Sequence, residues 1–254
     1  MYLAALNRVH QISSAANGLI AAILAPACAV CKALLDSPIE GCVCRTCWAS
    51  IRAITPPVCD ACGDPLPRAT ERCRQCAEVR AVSRARAIGE YDGTLREIVH
   101  ALKYNGRRSL AKPLAAMMRT RGTDVLTDAD CVVPVPLHWR REYARGFNQA
   151  RELARHVGLP VLDALVRGRH TRAQVELAAD RRRVNVAGAF RVHRRWWCPS
   201  DVRGMRVVLV DDVSTTGATL EACAGVLKEA GAAHVCALTA ARVVARKLPR
   251  AGLL

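Results

Sequence analysis

The stretch Val207-Val208-Leu209-Val210-Asp211-Asp212-Val213-Ser214-Thr215-Thr216-Gly217-Ala218-Thr219-Leu220 decides the fold. Four consecutive apolar residues without polar alternation read as a strand buried on both faces. Such a strand delivers two adjacent carboxylates, Asp211 and Asp212, to its C-terminal end, where ligands bind in open α/β sheets. A hydroxyl-rich loop follows, and then a helix over 219–230 stopped by Gly231. Backbone N–H groups of Ser214, Thr215, Thr216, Gly217, Ala218 and Thr219, four hydroxyls and the helix N-terminus form a cradle for a phosphate dianion. Gly217 lets the backbone approach closely, and the two carboxylates can accept from a ribose diol or face Mg2+. An ordinary capped helix needs one Asp or Thr, so two acids and four hydroxyls around a glycine point past simple capping. There is no Walker A lysine and no G-x-G-x-x-G, which makes nucleoside triphosphate and dinucleotide folds poor fits.

Working outward, strand-like and helix-like patterns alternate from about residue 85. Residues 85–91 read as a strand closed by an Asp92-Gly93 turn, and Leu95, Ile98, Val99 and Leu102 follow at helical spacing. Further buried strands are read at 131–135 and 235–238, and a helix at 148–156. Alternation of this kind predicts a parallel α/β sheet flanked by helices.

The first part of the chain differs in kind. Nine of 13 cysteines precede residue 77, and eight form four Cys-x-x-Cys knuckles: Cys28/Cys31, Cys44/Cys47, Cys59/Cys62 and Cys73/Cys76. Two residues between thiolates let both sulfurs reach one ion, and two knuckles close a tetrahedral zinc site. The gaps between knuckles are 12, 11 and 10 residues, so spacing allows sequential or interleaved sites. The sequential pairing is favoured, with Cys28, Cys31, Cys44 and Cys47 in one structural Zn2+ site and Cys59, Cys62, Cys73 and Cys76 in the other. Cys42, Cys131, Cys198, Cys223 and Cys236 are read as bystanders. A redox motif needs one Cys-x-x-Cys and not four in series. Reduced thiolates imply a cytoplasmic location.

Residues 9–31 carry no charge, and an apolar run ends in Ala25-Pro26-Ala27-Cys28. A signal peptide is one reading. An amphipathic helix is favoured, because Leu3, Leu6, Ile12, Ala16, Leu19 and Ile23 share a face and the apolar run is too short to span a bilayer. The expected organisation is an N-terminal amphipathic helix (1–25), a double zinc ribbon (26–80), an α/β domain (81–245) and a basic tail (246–254), with no membrane span.

The 254 residues, 51% of them apolar, suffice for a real core and exclude extended disorder. The formal charge is +16, of which residues 78–254 hold +14. Residues 140–196 carry 14 Arg, no Lys and 5 acids. The partner is therefore expected to be anionic, a nucleic acid or a phosphorylated metabolite.

The 207–220 segment resembles the 5-phosphoribosyl-1-pyrophosphate (PRPP) motif of type I phosphoribosyltransferases. Val133-Pro134-Val135-Pro136-Leu137-His138, Arg145-Gly146-Phe147-Asn148-Gln149-Ala150, residues 174–177, residues 182–185 and Gly188-Ala189-Phe190 are similar to the ComF family, which also begins with a cysteine ribbon. Departures from its pattern are Cys42 and Ser214, where bulkier residues are common. The resemblance spans 26–242 and implies a type I phosphoribosyltransferase-like sheet behind the zinc module. It implies Mg2+ bound with PRPP, the ribose hydroxyls at Asp211 and Asp212, and a pyrophosphate loop at 134–138. Arginine binds phosphate oxygens bidentately, so Arg140, Arg145 and Arg182 are the candidates for pyrophosphate. His138 and Gln174 are weaker candidates. Two function classes follow. One is a phosphoribosyltransferase, a glycosyltransferase releasing pyrophosphate to an acceptor that the sequence does not name. The other is a competence protein that handles single-stranded DNA in uptake, with a competence helicase or other uptake proteins as partners.

Overall fold

The computed structural model of the chain describes residues 25–68, 73, 76, 80–168, 188–193 and 201–244. The expected N-terminal helix, Gln174, Arg182, Cys198 and the basic tail lie outside the described residues.

Strand β1 (Arg84–Glu90) leads into helix α2 (Gly93–Tyr104), preceded in the ribbons by the short α1 (Arg45–Ala49). A 3-10 turn (Arg108–Leu110) enters α3 (Ala111–Arg121) and the single turn α4 (Thr123–Leu126). Strand β2 (Cys131–Pro134) is followed by α5 (Trp139–Arg145) and α6 (Gln149–Ala154). The hairpin partners β3 (Leu165–Arg167) and β4 (Phe190–Val192) precede β5 (Arg206–Ser214), α7 (Ala218–Glu229) and β6 (His234–Arg242). Strands β1, β6, β5 and β2 lie in that order, all parallel, with Val208 opposite Cys236 on one side and Val132 on the other.

Two local expectations are refined. The chain turns at Asp92 as expected, with Asp92 N donating to Glu90 O at 2.8 Å, and the Asp92 side chain also caps α2, accepting from Gly93 N at 2.7 Å. Strand β5 runs past Val210 through the two aspartates to Ser214, so Ser214 is a buried strand residue rather than part of the loop. The strand persists because Asp211, Val213 and Ser214 keep pairing with β6 at Thr239, Ala241 and Arg242.

The period of two along β5 sorts its side chains onto two cores. Val208 and Val210 pack with Leu95, Ile98 and Leu102 of α2 and Leu153 of α6, whereas Val207 and Leu209 pack with Leu220, Cys223 and Leu227 of α7. Each fully buried Leu contributes about 1.5–3 kcal/mol relative to exposure. Of the bystander cysteines, Cys131 and Cys223 are buried in this second core.

The knuckles repeat one local shape. Ala27 bridges Leu34 around the first, and Val58 bridges Pro65 around the third. The first ribbon docks on the β1 edge, where Glu90 N donates to Arg52 O at 2.9 Å. A Cβ on Gly89 would stand 2.4 Å from Arg52 O, so only glycine lets the ribbon come this close. The second ribbon meets the same strand nearer its start, with Ala85 N donating to Ala61 O at 2.9 Å. No helix among the described residues is long and apolar enough to cross a membrane.

Candidate functional site

A cleft of about 850 Å3 opens at the C-terminal ends of β2 and β5. One wall is Asp211 through Leu220. Lys103, Tyr104, Arg141, Arg145 and Arg167 line the same cleft. Gly217 takes φ +79°, a left-handed conformation that turns the chain from β5 into α7. Thr216 Oγ1 accepts from Ala218 N at 3.4 Å, and the first turn of α7 carries N–H groups without intrahelical acceptors.

The aspartates separate as the strand period demands. Asp212 turns toward α2, where Lys103 Nζ lies 3.0 Å from its Oδ2. Asp211 belongs to the α7 side, within electrostatic reach of Arg167 and Cys223. Burial, and next the Asp212 charge, push the Asp211 carboxyl up to about 8. Burial, and then Arg141, lower the Arg167 guanidinium from its usual value.

The Arg145-Gly146-Phe147-Asn148-Gln149 run has a structural logic of its own. Gly146, at φ +79°, ends α5, and buried Phe147 lies under the Arg108 guanidinium at 4.5 Å. Asn148 caps α6, accepting from Ala150 N at 2.9 Å while its Nδ2 donates to Val135 O at 3.0 Å. This pins the start of α6 to the end of β2. Arg145 donates to Gln149 and stacks on Tyr104 at 5.0 Å. Of the sequence's pyrophosphate candidates, Arg145 lines the cleft. Arg140 points outward and stacks on Trp139 at 5.2 Å, and Arg182 lies outside the described residues. His138 is buried and caps α5, its Nδ1 accepting from Arg140 N at 3.3 Å.

Lys103, Arg141 and Arg167 escaped the sequence reading. The helical phase of α5 could have chosen Arg141 over Arg140. Nothing local marks Lys103 or Arg167, which reach the cleft from elements distant in sequence.

Both metal centres take shape at the knuckles. The sulfurs of Cys28, Cys31, Cys44 and Cys47 lie within 4.8 Å of one another, as do those of Cys59, Cys62, Cys73 and Cys76, which is the sequential pairing. Four thiolates around Zn2+ at about 2.3 Å require S···S edges near 3.8 Å. The Cys28–Cys47, Cys31–Cys44 and Cys62–Cys73 separations are 3.9, 3.7 and 3.8 Å, so the clusters fit zinc. Backbone N–H groups support the sulfurs: Cys44 N donates to Cys28 Sγ at 3.3 Å and Cys73 N to Cys59 Sγ at 3.2 Å.

Comparison with known proteins agrees with this layout. The double zinc ribbon domain matches residues 19–77 and the phosphoribosyl transferase domain matches 144–252. Competence protein F of Haemophilus influenzae is 30% identical over 219 residues, covering 82% of this chain and 93% of its own length. The chain belongs to the ComF family. DNA utilization protein YhgH of Salmonella typhimurium is 32% identical over 204 residues, covering 76% of this chain and 87% of its own. Competence protein ComFC of Bacillus subtilis is 29% identical over 209 residues, covering 79% and 84%. As a ComF-family chain it combines a double zinc ribbon with a type I phosphoribosyltransferase-like fold. The transferase match begins at residue 144, so Lys103 and Arg141 belong to the part of the cleft that precedes it.

Proposed function

We propose that this ComF-family chain binds Mg-PRPP in the β5–α7 cleft and handles single-stranded DNA on the adjoining arginine-rich surface, in DNA uptake. The observation that carries the reading is the cleft itself. A hydroxyl-rich loop at a helix N-terminus, two carboxylates, Lys103, Arg141, Arg145 and Arg167 line one cavity. The relatives named for competence and DNA utilization support the DNA half of the reading.

In this reading the loop from Thr215 to Thr219 receives the 5′-phosphate, and the carboxylates accept from the ribose hydroxyls. The three arginines hold the pyrophosphate, joined by Arg182 on the strength of its sequence motif. Mg2+ fits the acidic side. Lys103 compensates Asp212, yet Asp211 is still pushed up to about 8, so the pair has room for further positive charge. Bound with PRPP, Mg2+ would neutralise phosphate oxygens. Cleaving the bond from the anomeric carbon to pyrophosphate builds positive charge on the ribose and negative charge on the leaving group. The carboxylates and the arginines are placed to stabilise these in turn.

DNA contacts fit the outer side of the same wall. Trp139 and Tyr143 are 64% and 89% exposed on α5, in a chain with only 4% aromatic residues. Arg140, outside the cleft, lies between them along the chain. Exposed aromatics give bases a stacking surface, and arginines hold the phosphates. A thermal-shift titration tests the PRPP half: Mg-PRPP at 100 times its dissociation constant should stabilise the chain by about 2.7 kcal/mol. No shift at millimolar ligand contradicts it.

A further inference from the structure

The second zinc site stands directly behind the phosphate loop, and two arginines span the distance. Arg80 NH1 donates to Cys76 Sγ at 2.8 Å, and its Nε lies 2.8 Å from Glu221 Oε1 in the first turn of α7. The same Glu221 carboxylate accepts from Ala81 N at 2.9 Å and Val82 N at 3.4 Å, which ties the ribbon's exit to α7. A Cβ on Gly217 would meet Arg80 NH2 at 3.4 Å, so the guanidinium packs against the turn of the loop. Arg242, 7% exposed at the end of β6, repeats the arrangement on the other side. It pairs with Asp64, two residues beyond the knuckle cysteine Cys62, and its NH1 donates to Ser214 Oγ at 3.4 Å. Ser214, where β5 ends, and Gly217, where α7 begins, are therefore each braced by a side chain that also contacts the second ribbon.

The first zinc site has no such link among the described residues. Its ribbon meets β1 and the start of α2, through Arg52 O to Glu90 N and Ser50 Oγ to Thr94 Oγ1 at 2.8 Å.

We infer that Arg80 and Arg242 are positioning residues that make the affinity of the loop for a phosphoribosyl ligand depend on zinc at the second site, but not at the first. The inference rests on reading the cleft as a PRPP site. A thiolate bound to zinc keeps its charge and place, which fixes the acceptor for Arg80. With the metal lost, the four cysteines have no common centre, and the brace on α7 loses its anchor. Coupling between two sites is reciprocal, so ligand in the loop must also tighten the second zinc.

The test uses the full-length zinc-loaded chain. Arg80→Met is expected to keep two zinc ions yet bind Mg-PRPP at least about tenfold more weakly by calorimetry. Unchanged affinity with both zinc ions present overturns the inference. Should Arg80→Met shed its zinc or unfold, the wild-type chain decides by zinc release to a zinc-selective chelator, with alkylation mapping which cysteines open. Mg-PRPP should slow release from Cys59, Cys62, Cys73 and Cys76 by about tenfold and leave the first site unchanged. Equal slowing at both sites, or none at either, overturns it. A wild-type chain that binds no Mg-PRPP at all overturns the functional reading itself, and this inference with it.

Discussion

Lys103 of α2 places its ammonium 3.0 Å from Asp212 Oδ2, and both side chains are largely withdrawn from water. The pair joins the helix after β1 to the strand that carries the phosphate loop. Burial would lower the Lys103 ammonium, but Asp212 and then Asp211 hold it above its ordinary value. Removing one member of a buried pair leaves an uncompensated charge, which costs about 3–5 kcal/mol. Lys103→Met should therefore lower the urea-derived unfolding free energy by about 3 kcal/mol, and added Mg2+ should recover part of the loss. A loss well under 1 kcal/mol would mean that the pair does not hold the site together.

Two structural zinc ions per chain are expected after purification under reducing conditions without chelator. Replacing Cys59 and Cys62 together by Ser should leave one. Because the bound thiolates must stay deprotonated, acidification should release both ions. Elemental analysis reading one zinc or fewer in the wild-type chain contradicts the double site.

The cysteine spacing made both metal centres legible, since a Cys-x-x-Cys knuckle is a local device whose geometry needs little from the rest of the chain. The β5–α7 segment was legible for the same reason: strand, loop and helix are consecutive. The limits appear where contacts are long-range. Lys103 and Arg167 enter the cleft through the topology of the sheet, and Arg80 does its bracing from the end of the ribbon. The Ser214 hydroxyl suggests a loop residue, whereas pairing with Arg242 on β6 extends the strand through it. Among neighbouring arginines composition gives no phase, so the sequence points to Arg140 where the cleft takes Arg141.

The α5 surface makes a separable claim. Tyr143→Ala and Trp139→Ala should each weaken single-stranded DNA binding by about 1–3 kcal/mol while leaving the thermal midpoint nearly unchanged, because both rings are exposed. Arg140→Ala should reduce the slope of log affinity against log salt by about 1. Fluorescence anisotropy at several salt concentrations reads both effects. Binding that ignores salt, or that is indifferent to all three substitutions, removes DNA from this face.

His234, at the start of β6, offers a pH test away from the cleft. Burial, then Arg206, Lys228 and Arg84, lower its imidazole below the usual 6.5. A lowered folded-state value means that the unfolded chain binds the extra proton first. The penalty is absent above the unfolded pKa and grows as pH falls through it. His234→Gln should therefore lose less stability than wild type between about pH 7 and 5 in chemical denaturation. Parallel losses in the two chains would contradict this.

In the proposed function the cleft takes Mg-PRPP through Asp211, Asp212 and the loop that follows them. Calorimetric titration of the full-length, zinc-loaded chain with Mg-PRPP, beside an Asp211→Asn, Asp212→Asn double variant that retains both zinc ions, tests it most directly. One site per chain in the wild type, with binding weakened at least about a hundredfold in the variant, is the expected result. Equal binding by both chains, or no heat in either, would contradict the account.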